Sequence, residues 1–182
     1  MNIKVIETSI NGVFEIIHSP FIDERGLFLN LFRSKNTPIS SIWNNRPIEQ
    51  INISKTLNAG TIRGMHMQNE PYSEAKLISC LKGKVFDVAV DLRSDSPTFR
   101  KWCKVVLSPD LNNSIFIPEG CAHGFQTMEN NCEMIYLHSK SWKKELETGV
   151  NYNDRKLDIA WPMAQTFLSK RDENLPSLTS YD

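Results

Sequence analysis

The sequence predicts an all-β domain, a sandwich or barrel of jelly-roll type, on three observations. Short segments of alternating apolar and polar residues recur along most of the chain. Gly, Pro and Asn cluster between them. Only Trp142 to Leu146 has a helical pattern. Taken in order, Val13 to Ile17 is a strand. Phe21 to Phe32 follows, with a tight turn at Glu24 to Gly26 and an alternating run after it. Asn36 to Pro47 carries two prolines among Ser and Asn residues and is a loop with room for one helical turn. Glu49 to Ser54, Ile62 to Gln68, Ala75 to Leu81 and Val85 to Leu92 are strands, the last two joined by a hairpin turn at Lys82-Gly-Lys84. Trp102 to Leu107, Ser114 to Pro118, Gly124 to Met128 and Glu133 to His138 continue the series, with turns at Ser94 to Thr98 and Asp110 to Asn113. The tail, residues 161–182, is polar and contains prolines. A compact domain rarely carries so long an unstructured tail, so it is expected to wrap the outside and to reach the functional site in part.

The 182 residues suit a single domain, 1–182, with a real core. Lys plus Arg number 21 and Asp plus Glu number 21, so no field of one sign covers the surface and nucleic acid is a poor partner. The four cysteines, Cys80, Cys103, Cys121 and Cys132, form no CxxC pair, and each sits in or beside an apolar run. That usage fits buried free thiols in a reducing cytoplasm better than a zinc site or a secreted disulfide scaffold. The N-terminus has neither a long apolar core nor a cleavage site, and no apolar run approaches the roughly 20 residues that span a bilayer. Neither secretion nor membrane insertion is expected.

The densest chemistry lies in Thr61-Ile-Arg-Gly-Met-His-Met-Gln68, which places a cation, a glycine, a titratable base and an amide within a few residues of one strand. A lone strand histidine is most often a satisfied core residue, so the rest of the chain must decide what His66 does. A second motif, Pro118-Glu-Gly-Cys-Ala-His-Gly124, pairs with it as the two halves of a cupin signature. A metal cupin normally supplies two histidines one residue apart in the first half. Here Gln68 stands in the second position, and an amide is a weak ligand for zinc or iron. No catalytic metal and no cofactor are expected, which leaves His66 free to move protons.

Extended along the chain, these motifs resemble the nucleotide-diphospho-4-keto-6-deoxysugar 3,5-epimerases of the cupin superfamily. The resemblance rests on Phe21-x-Asp-x-Arg-Gly-x-Phe28, Gln50-x-Asn-x-Ser54, Ile62-Arg-Gly-Met-His-x-Gln68 and Ala75-Lys-Leu77. It continues through Gly83-x-Val-Phe-Asp-Val-x-Val-Asp-Leu-Arg93, Ser96-Pro-Thr-Phe99, Ile117-Pro-Glu-Gly-x-Ala-His-Gly-Phe125, Trp161-Pro162 and Leu168-Ser-x-Arg-Asp172. It implies a cupin-type jelly roll that inverts C3 and C5 of a 4-keto sugar through an enolate, in deoxysugar supply for a bacterial surface polysaccharide. By the same resemblance His66 is the base, Asp172 its orienting carboxylate, Tyr136 the acid on the opposite face and Lys76 the cation beside the C4 oxygen. An imidazole titrates near cell pH, and a carboxylate on one ring nitrogen fixes its tautomer. Taken alone, Asp172 would be a solvated tail charge, Tyr136 a half-buried strand aromatic and Lys76 a surface cation.

The resemblance also implies binding roles. Arg63 and His123 would meet the diphosphate, Arg171 and Glu147 the substrate, and Gln50 and Asn52 the base or sugar of the nucleotide. Arg25 and Phe28 would reach the nucleotide of a neighbouring subunit, which implies an obligate homodimer that exchanges N-terminal strands within residues 1–35. Strict alternation puts Arg63 and His66 on opposite faces of a strand, so a bulge near Gly64 is expected if both meet one ligand. Two positions depart from the family. Asn30 stands where Glu is usual and Trp142 where Tyr is common. Asn can donate as well as accept, which leaves CDP- and GDP-sugars open beside the dTDP-sugar. Epimerisation at a single carbon, a metal-dependent cupin and a non-catalytic sugar-binding cupin remain the alternatives.

Overall fold

The computed structural model describes residues 3–181. Two antiparallel sheets form a sandwich. The first runs in the order β1 (Ile3–Glu7), β2 (Phe14–His18), β10 (Asn113–Ile117), β7 (Lys76–Lys82), β12 (Cys132–His138) and β5 (Gln50–Thr56). The second runs β13 (Glu147–Gly149), β6 (Ile62–Gln68), β11 (Cys121–Thr127), β8 (Val85–Asp91) and β9 (Trp102–Leu107). A separate hairpin pairs β3 (Phe21–Asp23) with β4 (Gly26–Phe28). Neighbours in the sheets are mostly far apart in sequence, the pattern of a jelly roll.

The fold follows from the alternation. Strand residues facing inward from both sheets, among them Ile78, Ile115 and Met134 from one and Val85, Ala89 and Phe125 from the other, form one buried cluster between them. The outward face of the second sheet is covered by Val150, Leu157, Ile159 and Leu178 from the C-terminal third. The outward face of the first is covered by Ile39 and Trp43 of α1 (Pro38–Trp43). Packed this way, the two outer layers make the sandwich a closed core with one open end, where the functional side chains gather.

The loop 36–47 does hold a helical turn, which forms α1. Thr37 caps α1 by accepting from the Ser40 N–H, Pro38 opens the helix, and Asn44 ends it in the left-handed region. Several expectations need correction. Trp142 to Leu146 is not an α-helix but a 3-10 turn over Lys144–Leu146 followed by β13, and a second short helix, α2 (Lys170–Glu173), lies in the tail. The alternating run after Gly26 stays a strand only to Phe28. Gly124 to Met128 is the later part of a strand that begins at Cys121. The four cysteines are buried and free.

Candidate active site

β6 carries the first half of the site, and a bulge shapes it. His66 pairs with His123 of β11 and Arg63 with Phe125, so three steps on β6 match two on β11. The extra residue falls at Gly64 and Met65, whose peptide is cis, and Gly64 has φ of 120°. Met65 turns to the outer layer while Arg63 and His66 both face inward. The expected bulge is therefore present. Glycine is required there, because a Cβ on Gly64 would lie 2.5 Å from Gly124 Cα and 2.7 Å from His123 O.

His66, Arg63 and His123 line a cavity of about 740 Å³ at the open end, with Asn52, Lys76, Tyr136, Trp142, Glu147, Arg171 and Asp172. The tail brings in the last two. Ser169 caps α2 by accepting from the Asp172 N–H, which fixes Asp172 at the start of the helix. Its carboxylate accepts from the Gly64 N–H at 2.9 Å and from His66 Nε2 at 2.8 Å. Burial by itself would raise the Asp172 pKa. The hydrogen bonds and charge of His66, with the Gly64 amide and the Ser169 hydroxyl, outweigh burial and hold it well below the usual carboxylate range. Facing an ionised carboxylate, Nε2 carries the proton. Arg171 NH2 also approaches Nε2 at 3.0 Å, but it is itself a donor and cannot bond a protonated ring nitrogen, so its useful bonds run to Asp172 and Glu147. That leaves Nδ1 of His66, which bonds no described residue, as the basic nitrogen.

Tyr136 comes from the opposite sheet. It lies on β12 and its hydroxyl bonds Ser54 Oγ at 2.9 Å. Burial pushes its pKa up, so the phenol stays protonated and can act only as a donor of that proton or as a neutral group. Between the two walls sits His123, edge-on to Tyr136 at 6.2 Å between ring centroids, with Nε2 at 2.9 and 3.1 Å from the two oxygens of Asp87. Asp87 is fully buried, which raises its pKa, while the charge and hydrogen bond of His123 pull the other way. Lys76 opens β7, donates to the His66 carbonyl at 3.0 Å and pairs with Glu74 at 2.9 Å. His138, the cross-strand partner of Lys76, also lines the cavity. Burial first, then the charges of Lys76 and His123, lower its pKa to about 3, so its ring is neutral.

Not every expected residue is in the cavity. Gln50 stands just behind its wall, donating to Asn52 and accepting from the Trp142 N–H. Arg25 and Phe28 lie on the β3–β4 hairpin, away from the chain's own cavity, and Asn30 follows them outside any strand. Gln68, where a metal cupin would place a histidine, spends its amide on protein partners. Nε2 donates to Glu74, and Oε1 accepts from the Lys143 N–H. Among the described residues no three His, Cys, Asp or Glu side chains are grouped to hold a metal. Asp87, Glu74 and His138 went unassigned in the sequence. Asp87 had a signal, since a carboxylate inside Val85-Phe-Asp-Val-Ala-Val90 must find a partner if the strand is buried on both faces.

A family model described as dTDP-4-dehydrorhamnose 3,5-epimerase matches residues 7–180. The chain belongs to the dTDP-4-dehydrorhamnose 3,5-epimerase family. Membership extends over nearly the whole length. A dTDP-4-dehydrorhamnose 3,5-epimerase of Shigella flexneri is 39% identical, with 94% of this chain and 93% of that protein covered. The crystal structure of a dTDP-6-deoxy-D-glucose-3,5-epimerase from Legionella pneumophila in complex with dTDP-4-keto-L-rhamnose superposes with a TM-score of 0.90 at 33% identity, covering 100% of this chain and 95% of that one. ChmJ of Streptomyces bikiniensis, a 3'-monoepimerase in complex with dTDP-quinovose, superposes with a TM-score of 0.86 at 31% identity, covering 96% and 87%. The proteins this chain resembles are thus named for inversion at one carbon as well as at two. Its fold here is the mostly β, two-sheet sandwich of these relatives.

Proposed function

We propose that this epimerase inverts C3 and C5 of a nucleotide-diphospho-4-keto-6-deoxyhexose, with a dTDP-sugar as the first candidate. The observation that carries the reading is the placement of His66 and Tyr136. They come from different sheets and line the same cavity. The ketone at C4 acidifies the hydrogens at C3 and C5, since loss of either gives an enolate. His66 Nδ1 takes the proton while Asp172 stabilises the imidazolium. Lys76 offsets the negative charge growing on the C4 oxygen. Tyr136 gives its proton to the opposite face, which inverts the carbon. Arg63, His123 and Arg171 supply donors for the diphosphate, and Trp142 a surface on which the base can stack.

A homodimer completes the reading. The β3–β4 hairpin exposes Phe21, Ile22, Leu27 and Phe28 at 60–71%, an apolar surface that water does not favour. Edge strand β5 exposes Ile51 and Ile53 at 59% and 61%. Seated on a partner, the hairpin would carry Arg25, Phe28 and Asn30 toward the partner's nucleotide. Among the described residues no helix is long and apolar enough to cross a membrane, and a cytoplasmic place in deoxysugar supply fits the substrate.

The test is turnover in deuterated water with dTDP-, CDP- and GDP-linked 4-keto-6-deoxyglucose side by side. Deuterium at both C3 and C5 of the dTDP product is expected. Deuterium at one carbon would make the protein a monoepimerase. No exchange with any of the three would remove the reading.

A further inference from the structure

Lys76 has a neighbour that the reaction as described leaves unused. Glu74 is buried at 7% exposure, lines the same cavity, and is among the described residues the carboxylate ion-paired with Lys76. Burying a carboxylate is costly unless both its oxygens are satisfied. Here Oε1 accepts from Lys76 Nζ at 2.9 Å and Oε2 from Gln68 Nε2 at 2.9 Å. The Gln68 amide cannot turn round, because its Oε1 already accepts from the Lys143 N–H at 2.6 Å. A relay of fixed orientation therefore runs from the Lys143 amide through Gln68 and Glu74 to the Lys76 ammonium. The ammonium spends a second proton on the His66 carbonyl. An ammonium has three donors, so the third is left to point into the cavity.

We infer that Glu74 is a positioning residue that holds the Lys76 ammonium aimed at the substrate's C4 oxygen. This rests on the reading of Lys76 as the cation beside that oxygen. The inference explains why a cation with only 6% of its side chain exposed can face a neutral substrate carbonyl. Its own counterion supports it from behind, and the geometry is set before substrate arrives, so no reorganisation is needed as the enolate forms. An amide at position 74 could not do the same. Its oxygen could accept from Lys76, but its NH2 would then meet the NH2 of Gln68.

A double-mutant cycle tests this, with kcat and KM measured separately and residual activity followed as deuterium exchange into substrate. Glu74→Gln is expected to lower kcat about ten- to a hundredfold with KM within about threefold, by comparison with loss of one oxyanion donor. Glu74→Asp, which keeps the charge, is expected to regain most of that loss. In a Lys76→Ala background the same Glu74→Gln change is expected to cost less than about twofold, because its effect passes through Lys76. An equal loss in both backgrounds, or a loss confined to KM, overturns the assignment of Glu74. If Lys76→Ala alone keeps full kcat, it is the role of Lys76 that fails, and Glu74 loses its role with it. Should Glu74→Gln not fold, Glu74→Ala serves in the same cycle with the same criterion.

Discussion

His66 and His123 face each other as cross-strand partners on β6 and β11, and each ring holds a carboxylate through Nε2, Asp172 for one and Asp87 for the other. Two imidazole–carboxylate pairs thus stand side by side on one sheet. They differ in setting. Asp172 is held ionised by several donors, while Asp87 is enclosed, and its side-chain hydrogen-bond partner among the described residues is His123. The first is suited to catching a proton and the second to keeping a donor fixed under the substrate.

Asp172→Asn should leave His66 in place but remove the reason for Nε2 to carry the proton. A fall in kcat on the order of 10²–10⁴ is expected, with KM little changed. Steady-state kinetics on the dTDP-sugar would check it. A variant within threefold of the parent would break the link between the tail and the base.

Tyr136→Phe separates the two half-reactions. His66 can still remove a proton and return one from the same face, so deuterium should keep entering unepimerised substrate. Inverted product should fall about 10²–10³-fold. Mass spectrometry of both pools reads the two rates together, and equal losses in both pools would reject the phenol as the acid.

Stability in acid should fall in two stages. For His138 the folded pKa is lowered, to about 3 from 6.5, so the unfolded chain takes up its proton first. Its contribution is intact above pH 6.5 and is lost as pH falls from there toward 3. Asp172 is also depressed in the fold, so its contribution is present above 3.8 and is lost below that value. Urea midpoints measured from pH 7.5 to 4 should decline in the parent and decline less in His138→Gln. Parallel slopes would show that His138 is not the group responsible.

Gly64→Ala should destabilise the fold by about 3 kcal/mol or more. The new Cβ meets the backbone of residues 123 and 124, which cannot move aside as a side chain can, and φ at this position is one that L-residues rarely adopt. A shift of the urea midpoint reads the cost, and an unshifted midpoint would mean the bulge relaxes.

Ile22→Asp on the hairpin should convert a dimer into a monomer, read by sedimentation, because a charge on a surface 71% exposed in the single chain costs little until a partner covers it. Parent and variant of equal mass would place the interface elsewhere.

Much of this was legible in the chain. Ile62 to Gln68 and Trp102 to Leu107 match their strands end to end, because alternation there coincides with one face buried and the other differently covered. Arg63 and His66, three apart on one strand yet facing one cavity, imply the bulge that β6 makes against β11. What escaped has physical reasons. β13 has three residues and exists as a strand because β6 offers it an edge. Glu74 carries no local pattern, and the carboxylate of Asp87 inside an apolar run calls for a partner without saying that it is an imidazole on another strand.

Base and acid are mounted on separate sheets, and what sets their separation is the apolar filling shared by both, with Phe125 on one side and Met134 on the other. The sandwich works as a calliper whose opening is gauged by close-packed side chains. Trimming one of them would shift the gap and cost stability at once, about 2–5 kcal/mol for a buried side chain cut back to alanine. Such variants should lose melting temperature and turnover together, and the rate would serve as a second gauge of core packing.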